Sequence, residues 1–327
     1  MTPAHGRLMA SHQRWALPVL SGLTLAALVL PPAGHLGAWL VAGLAVAVLG
    51  IPHGALDAPL GMRIARRIGG APATAVFLVA YGIVALAFLG LVSIAPMLAL
   101  TLFLALAVVH FGEQDALARG WPGDRLEILA TGLTPIGAAW LFHPERTIEL
   151  FVWLVGEGHR GTLEAAAMPV VVGWVVATTL SLLRHARQAR LSTPPRMALG
   201  ETAVVLALFW VLPPLLAFTA YFCLVHAPRH VIEFAAAERP AAPVAELPRL
   251  ARLAAPATLV TWAAAGVAFW LQARFGVWDQ AAARTLFWTL AALTPPHMML
   301  LWWVKAHPGQ RHDADPQGSG SASVFRQ

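Results

Sequence analysis

The sequence predicts an all-α membrane protein, a polytopic transmembrane bundle of about ten spans (eight or nine if the weakest pieces fail) with a metal site between helices. Three observations carry this. First, the 327 residues are 58% hydrophobic and only 12% charged. Soluble domains carry about 25% charged residues, so this chain lacks the polar surface to face water. Second, apolar stretches of roughly 17–25 residues, long enough to cross a bilayer as a helix, recur along almost the whole chain. Third, histidines stand at the ends of several of these stretches, first in "GIPHGALDAPL" at residues 50–60. The single cysteine, Cys223, excludes a disulfide framework and a cysteine-rich metal site. The net charge of +6 comes from short basic clusters between apolar runs, an orientation signal rather than a nucleic-acid surface.

The spans fall near 15–32, 36–52, 72–93, 96–112, 125–141, 163–183, 198–212, 214–236, 254–272 and 284–304. The first follows Arg7 and Arg14 as a signal peptide would, but the second comes so soon after it that an anchor is the better reading. Residues 142–160 suit a re-entrant or surface helix. With the short span before Pro213-Pro214 they are the weakest pieces. A cytoplasmic N-terminus puts eighteen of the 22 Lys and Arg inside, Arg119 and Arg229 among them. Only Arg146, Arg160, Arg274 and Arg284 then fall outside, as the positive-inside rule asks. The expected setting is the inner cell membrane, multi-pass, with both termini cytoplasmic. Residues 1–306 are expected to form one integral-membrane domain, which would carry any catalytic site, and 307–327, polar and Gly/Ser-rich, a disordered tail. No internal repeat is visible.

Eight of the thirteen histidines have ordinary settings. His5, His12, His185, His307 and His312 lie in charged or terminal segments as solvated rings, and His35, His143 and His159 in outer loops. The other five, His53, His110, His226, His230 and His297, lie within or at the inner end of an apolar span. A polar side chain there is costly and marks function. The spans that carry them all run from outside to inside, so the five imidazoles share the cytoplasmic half of the membrane. One buried histidine reads as a packing residue; five at one depth on four helices are hard to satisfy separately. Imidazole suits zinc, copper, iron and nickel, and four neutral rings around octahedral iron leave two positions for oxygen and a substrate. His226 and His230 are four apart, on one helix face. Asp57, four after His53, and Asp115, five after His110, are expected to accept the second N–H of a bound imidazole. Glu113 and Glu233 are further candidates for that task, or simple interfacial carboxylates.

"PHGALD" at 52–57, "HFGEQD" at 110–115, "HAPRH" at 226–230 and "TPPHMML" at 294–300 resemble the Brp/Blh family. These are membrane-embedded β-carotene 15,15'-dioxygenases of bacteria and archaea. The resemblance runs from about Gly50 to Trp303 with the motifs in the family's order. It implies an iron(II) enzyme that splits the central double bond of β-carotene with O2 to give two retinals, the chromophore of a microbial rhodopsin as product acceptor. By the motif match His53, His110, His226 and His230 would hold Fe(2+), while His297 matches a histidine whose role stays open. The chain departs from the family at Ala58, often histidine. Pro228 removes a helix hydrogen bond; it either kinks the chain at Leu224 or starts a new segment with His230 in its first turn.

A rigid hydrocarbon dissolved in lipid needs an apolar approach. Phe111, Trp140, Phe222, Trp302 and Trp303 are candidates to line it, with core packing as the other reading. Three rival functions remain. A di-iron desaturase needs several HxxxH and HxxHH boxes, and only 226–230 is present. A haem electron carrier needs facing histidine pairs, and a transporter would use the histidines as an ion path.

Overall fold

The computed structural model describes residues 3–29, 35–188, 193–239 and 242–307. Of the expected tail at 307–327, all but His307 lies outside them. The described residues are helical, with no strand among them, as a chain without water to satisfy its backbone requires. In order come α1 (Pro3–Val29), α2 (His35–Ala45), α3 (Ile51–Gly54), α4 (Asp57–Ile94), α5 (Pro96–Ala118), α6 (Arg125–Gly132) and α7 (Thr134–Phe142). Then come α8 (Pro144–Val155), α9 (Arg160–Gln188), α10 (Thr193–Val211), α11 (Pro214–Tyr221), α12 (Ala227–Glu238), α13 (Pro243–Ala273) and α14 (Trp278–Ala306). Among the described residues five stretches are long and apolar enough to cross a membrane: Gly37–Ile94, Pro96–Ala118, Glu157–Gln188, Pro214–Glu238 and Pro243–Ala273.

Proline punctuates these helices. Pro96, Pro135, Pro144, Pro214, Pro228 and Pro243 each stand in a first turn, where the missing N–H costs nothing. Residues 57–68, expected between spans, are helical and continue into α4 across a break at Gly69 and Gly70. Gly70 takes φ 67° and ψ −147°, a conformation open to glycine alone. The expected span at 125–141 is two short helices, α6 and α7, joined at Leu133. Asp124 caps α6 by accepting from the Glu127 N–H at 2.9 Å. Burial pushes the Asp124 carboxyl up, but that N–H and the Arg184 guanidinium outweigh it and hold the group below its ordinary pKa. Residues 144–155 form α8, which contacts α5, α7, α9 and α14.

Helix α6 lies against α5 with almost no gap. A β-carbon on Gly112 would sit 2.2 Å from the Ile128 carbonyl oxygen, and one on Gly132 2.0 Å from that of Val108. Small residues let helices approach to backbone contact in a membrane, so the glycine of "HFGEQD" seats α6 beside the helix that carries His110. Because the obstacle is backbone, Gly132→Ala must separate the helices. It is expected to lower stability by about 1–3 kcal/mol, seen as a lower thermal unfolding midpoint in detergent. An unchanged midpoint would mean the close approach is not needed.

Two apolar clusters make the interior. The larger holds Phe103, Phe111, Trp174, Phe209, Phe222 and Phe287. The smaller holds Leu56, Leu60, Ile64, Phe234, Leu250 and Leu300. Residues flanking the five singled-out histidines belong to both, so these rings sit where the clusters meet.

Candidate metal centre

Two wide helical turns aim the histidines. At Val46–Gly50 and Phe222–His226 the chain forms π-helix, with the Ile51 N–H reaching the Val46 oxygen and the Ala227 N–H reaching the Phe222 oxygen. Each extra residue rotates the next helical segment by about 100° relative to an unbroken helix. A proline stands after each turn, Pro52 and Pro228. Pro228 offers no N–H to the Leu224 carbonyl, and the His12 ring nitrogen Nε2 on α1 bonds it instead at 2.9 Å. Near the first turn the Ala47 carbonyl, passed over by the wide ring, accepts from Trp262 Nε1 at 3.1 Å. Pro228 thus starts α12 with His230 in its first turn, the second of the two geometries expected for it.

The result is one cluster. His53, His110, His226, His230 and His297 are 8%, 7%, 0%, 5% and 5% exposed, so none of the five is solvated. Ring centroids lie 4.7 Å apart for His110–His226 and for His110–His297. They are 5.5 Å and 5.4 Å apart for His53 with His226 and His230, and 5.1 Å for His230–His297. His226 and His110 face each other through their Nε2 atoms at 3.1 Å.

The donor set fits a divalent metal. One nitrogen each from His53, His110 and His226 lies within 4.8 Å of the others. Nitrogens bound to one ion at about 2.1 Å are at most about 4.2 Å apart, so small ring movements complete the geometry. Buried nitrogens also go unused, since His226 Nδ1 and His297 Nε2 have no hydrogen-bond partner. An unsatisfied polar atom inside a bundle is costly unless something binds it. Nitrogen donors without thiolate suit iron, zinc, copper or nickel.

The expected partners of these rings are rearranged. Asp57 does not bond His53. Its carboxylate accepts from His297 Nδ1, at 2.9 and 2.8 Å from its two oxygens, and from the Tyr81 hydroxyl at 2.8 Å. The kink at α4 and the packing of α14 on α4 bring these together across 240 positions. His53 Nδ1 instead bonds the Gly50 carbonyl, which its own wide turn presents. Asp115 does not bond His110 either, but accepts from Arg229 Nη1 and the Tyr221 hydroxyl, both at 2.5 Å. Five residues along α5, it lies beyond the ring's reach and faces α12. Glu113 pairs with Lys305 and Glu233 accepts from Gln114, around a cavity of about 90 Å³ that reaches His110 and His230.

A buried ionic network supports the cluster, and sequence reasoning missed it. Arg229 bridges Asp115 and Glu201; Arg119 bonds Glu201 at 3.0 Å and Glu127 at 2.9 Å. Glu127 also takes Ser181 and His185, and Glu201 takes Gln13 of α1. Arg119 and Arg229 are therefore not cytoplasmic surface charges, nor are His12 and His185 solvated, at 1% and 0% exposed. The signal lay in the charged residues inside apolar runs, Glu201 and Arg229 above all. Of the aromatic candidates, Phe222 stacks on His226 with ring centroids 5.8 Å apart, and Phe111 lies 4.2 Å from the same ring. Trp140 packs on Phe151, Trp302 is exposed and Trp303 stacks on His307. Phe111 also lines an apolar pocket of about 60 Å³ with Phe103, Ile136, Phe151, Phe218 and Phe287.

A carboxylate holding one nitrogen of a metal-binding imidazole raises its basicity and fixes its tautomer. Asp57→Asn is therefore expected to cost about 10–100-fold in metal affinity or activity, acting through His297. Metal content after dialysis measures it, and an excess of the metal should restore part of what is lost. Wild-type metal retention would reduce Asp57 to a packing partner.

A family model described as β-carotene 15,15'-dioxygenase matches residues 44–305. The chain is 28% identical over 270 residues to the β-carotene 15,15'-dioxygenase of an uncultured marine bacterium, 66A03, covering 78% of this chain and 90% of that one. It is 29% identical over 319 residues to the probable β-carotene 15,15'-dioxygenase Blh of Halobacterium salinarum, covering 88% of each. No solved structure matches.

Proposed function

The chain belongs to the β-carotene 15,15'-dioxygenase family, and on that premise we propose that it cleaves the central 15,15' double bond of β-carotene with O2, giving two retinals. The observation that carries the reading is the convergence of five buried imidazoles beside an aromatic, apolar pocket. His53, His110, His226 and His230 would hold Fe(2+), which when bound supplies the oxygen activation that an unreactive polyene needs. Asp57 holds His297 in one tautomer, and with its Nε2 unbonded and its ring 4.7 Å from that of His110, His297 would be a further donor to the same ion. The Arg229 network fixes the helix that bears His226 and His230. Phe111 and Phe222 cover His226 and keep water from that side of the site.

The substrate has no polar atom, so affinity comes from apolar contact and shape. At about 60 Å³ the pocket is far smaller than a typical ligand site of roughly 300–1,000 Å³. Its phenylalanines must swing aside to admit half of a carotenoid. The setting is the inner cell membrane with both termini cytoplasmic, about ten spans, and a retinal-binding rhodopsin as product acceptor.

Expression in bacteria that accumulate β-carotene tests the reading. Loss of colour with retinal as the product is expected. Unchanged β-carotene, or two apocarotenoid fragments of unequal length, would overturn it.

A further inference from the structure

Away from the histidines, a cavity of about 450 Å³ opens between α4, α12 and α13. Four arginines line it, Arg63, Arg66, Arg67 and Arg249, against the single carboxylate of Glu238. Arg63 forks onto Glu238, and Arg249 is tied back to Glu246. Both pairs hold their guanidiniums in place at the cavity, and Arg66 and Arg67 stand exposed on the next turn of α4. The floor is apolar, made by Leu60, Met62, Phe234, Leu250 and Leu253. Few residues of the apolar runs of α4 and α13 beyond it are buried in the bundle, and Ile68, Leu247 and Leu253 are exposed.

We propose that this cavity between α4, α12 and α13 binds the headgroup of an anionic phospholipid, its phosphate among Arg63, Arg66, Arg67 and Arg249 and its acyl chains along α4 and α13. Basic pockets between helices at the cytoplasmic face suit such headgroups. The geometry selects among anions. A free phosphate gains nothing from an apolar floor, and a zwitterionic headgroup brings its own cation to a site where four arginines already outnumber the two carboxylates, Glu238 and Glu246. Planar guanidiniums grip phosphate oxygens in pairs, which a lysine patch does not do. The break at Gly69–Gly70 comes directly after the arginines. It turns residues 57–68 relative to the rest of α4, so the basic turn lies at the end of the exposed apolar run. The membrane reading of the chain is assumed, but the iron and carotenoid readings are not.

Native mass spectrometry of the detergent-solubilised protein tests this, with dioleoyl phosphatidylglycerol, dioleoyl phosphatidylcholine and inorganic phosphate as probes. The wild type should retain phosphatidylglycerol in preference to phosphatidylcholine, less so as ionic strength rises. Arg66→Gln/Arg67→Gln should weaken that retention roughly 30-fold, from the attraction typical of two arginines near an anionic headgroup. Arg66→Lys/Arg67→Lys should recover part of it. Both pairs of substitutions are on exposed side chains, so unchanged gel-filtration behaviour and thermal midpoint confirm an intact fold. Equal retention of the two lipids, or unaltered retention by the glutamine variant, overturns the proposal. Displacement of the lipid by millimolar phosphate would also do so, since it would make the site one for soluble anions.

Discussion

His226→Ala is expected to eliminate retinal formation in β-carotene-containing membranes, and His53→Ala, His110→Ala and His230→Ala to do the same. Each removes an imidazole donor, and the carboxylate beside the cluster, Asp57, is already committed to His297 and Tyr81. A lost ligand lowers affinity and opens the geometry together, so the defect should exceed the roughly 10–100-fold typical of an outer-shell change. That ranks the four alanine variants below Asp57→Asn in activity and in metal retained after dialysis. His159→Ala, in the turn between α8 and α9, and His143→Ala, whose ring bonds the Phe209 carbonyl at 3.0 Å far along the bundle, are the controls. Both should keep metal and turnover near wild type. Equal loss in controls and cluster variants would show that general destabilisation, and not ligation, explains the result.

The second large effect is on stability. Arg229 is 1% exposed and joins Asp115 to Glu201. Arg229→Met leaves the Asp115 carboxylate with only the Tyr221 hydroxyl, while Glu201 keeps Arg119 and Gln13. Removing one partner of a buried ion pair costs about 3–5 kcal/mol, because the other charge stays behind unpaired. The expected result is a sharply lower unfolding midpoint and little protein in the membrane. Because Arg229 lies between His226 and His230, surviving protein should also retain less metal. Arg229→Met/Asp115→Asn should recover much of the loss, since neighbouring changes in one network are not additive. A single variant as stable as wild type would mean that the carboxylates are neutralised in some other way.

Much was legible in one dimension because a bilayer imposes a strong rule on the chain. Apolar runs, prolines at helix starts and the paucity of charge follow from satisfying every backbone group without water. The five histidines could be singled out because an imidazole in an apolar run is expensive wherever it sits. That cost depends on local sequence, so residues such as His53 and His297 announce themselves without their partners. The four motifs around them, in order, carry the family resemblance for the same reason.

Partnership was decided only by the tertiary structure. Asp57 stands four residues from His53, yet it bonds His297 on another helix. The wide turn before His53 gives that ring its own carbonyl, and the packing of α4 on α14 brings a different imidazole to the carboxylate. Asp115 likewise faces α12 and pairs with Arg229. His12, His185 and Arg119 look like surface residues in a linear reading, and Arg229 counts there as a cytoplasmic charge although it lies inside an apolar run. They are buried because α1, α5, α9, α10 and α12 converge on the network around Glu127 and Glu201. Hydrophobicity is additive along a chain and can be read from it. A hydrogen bond depends on direction and on a few tenths of an ångström, and that geometry exists only after the helices have packed.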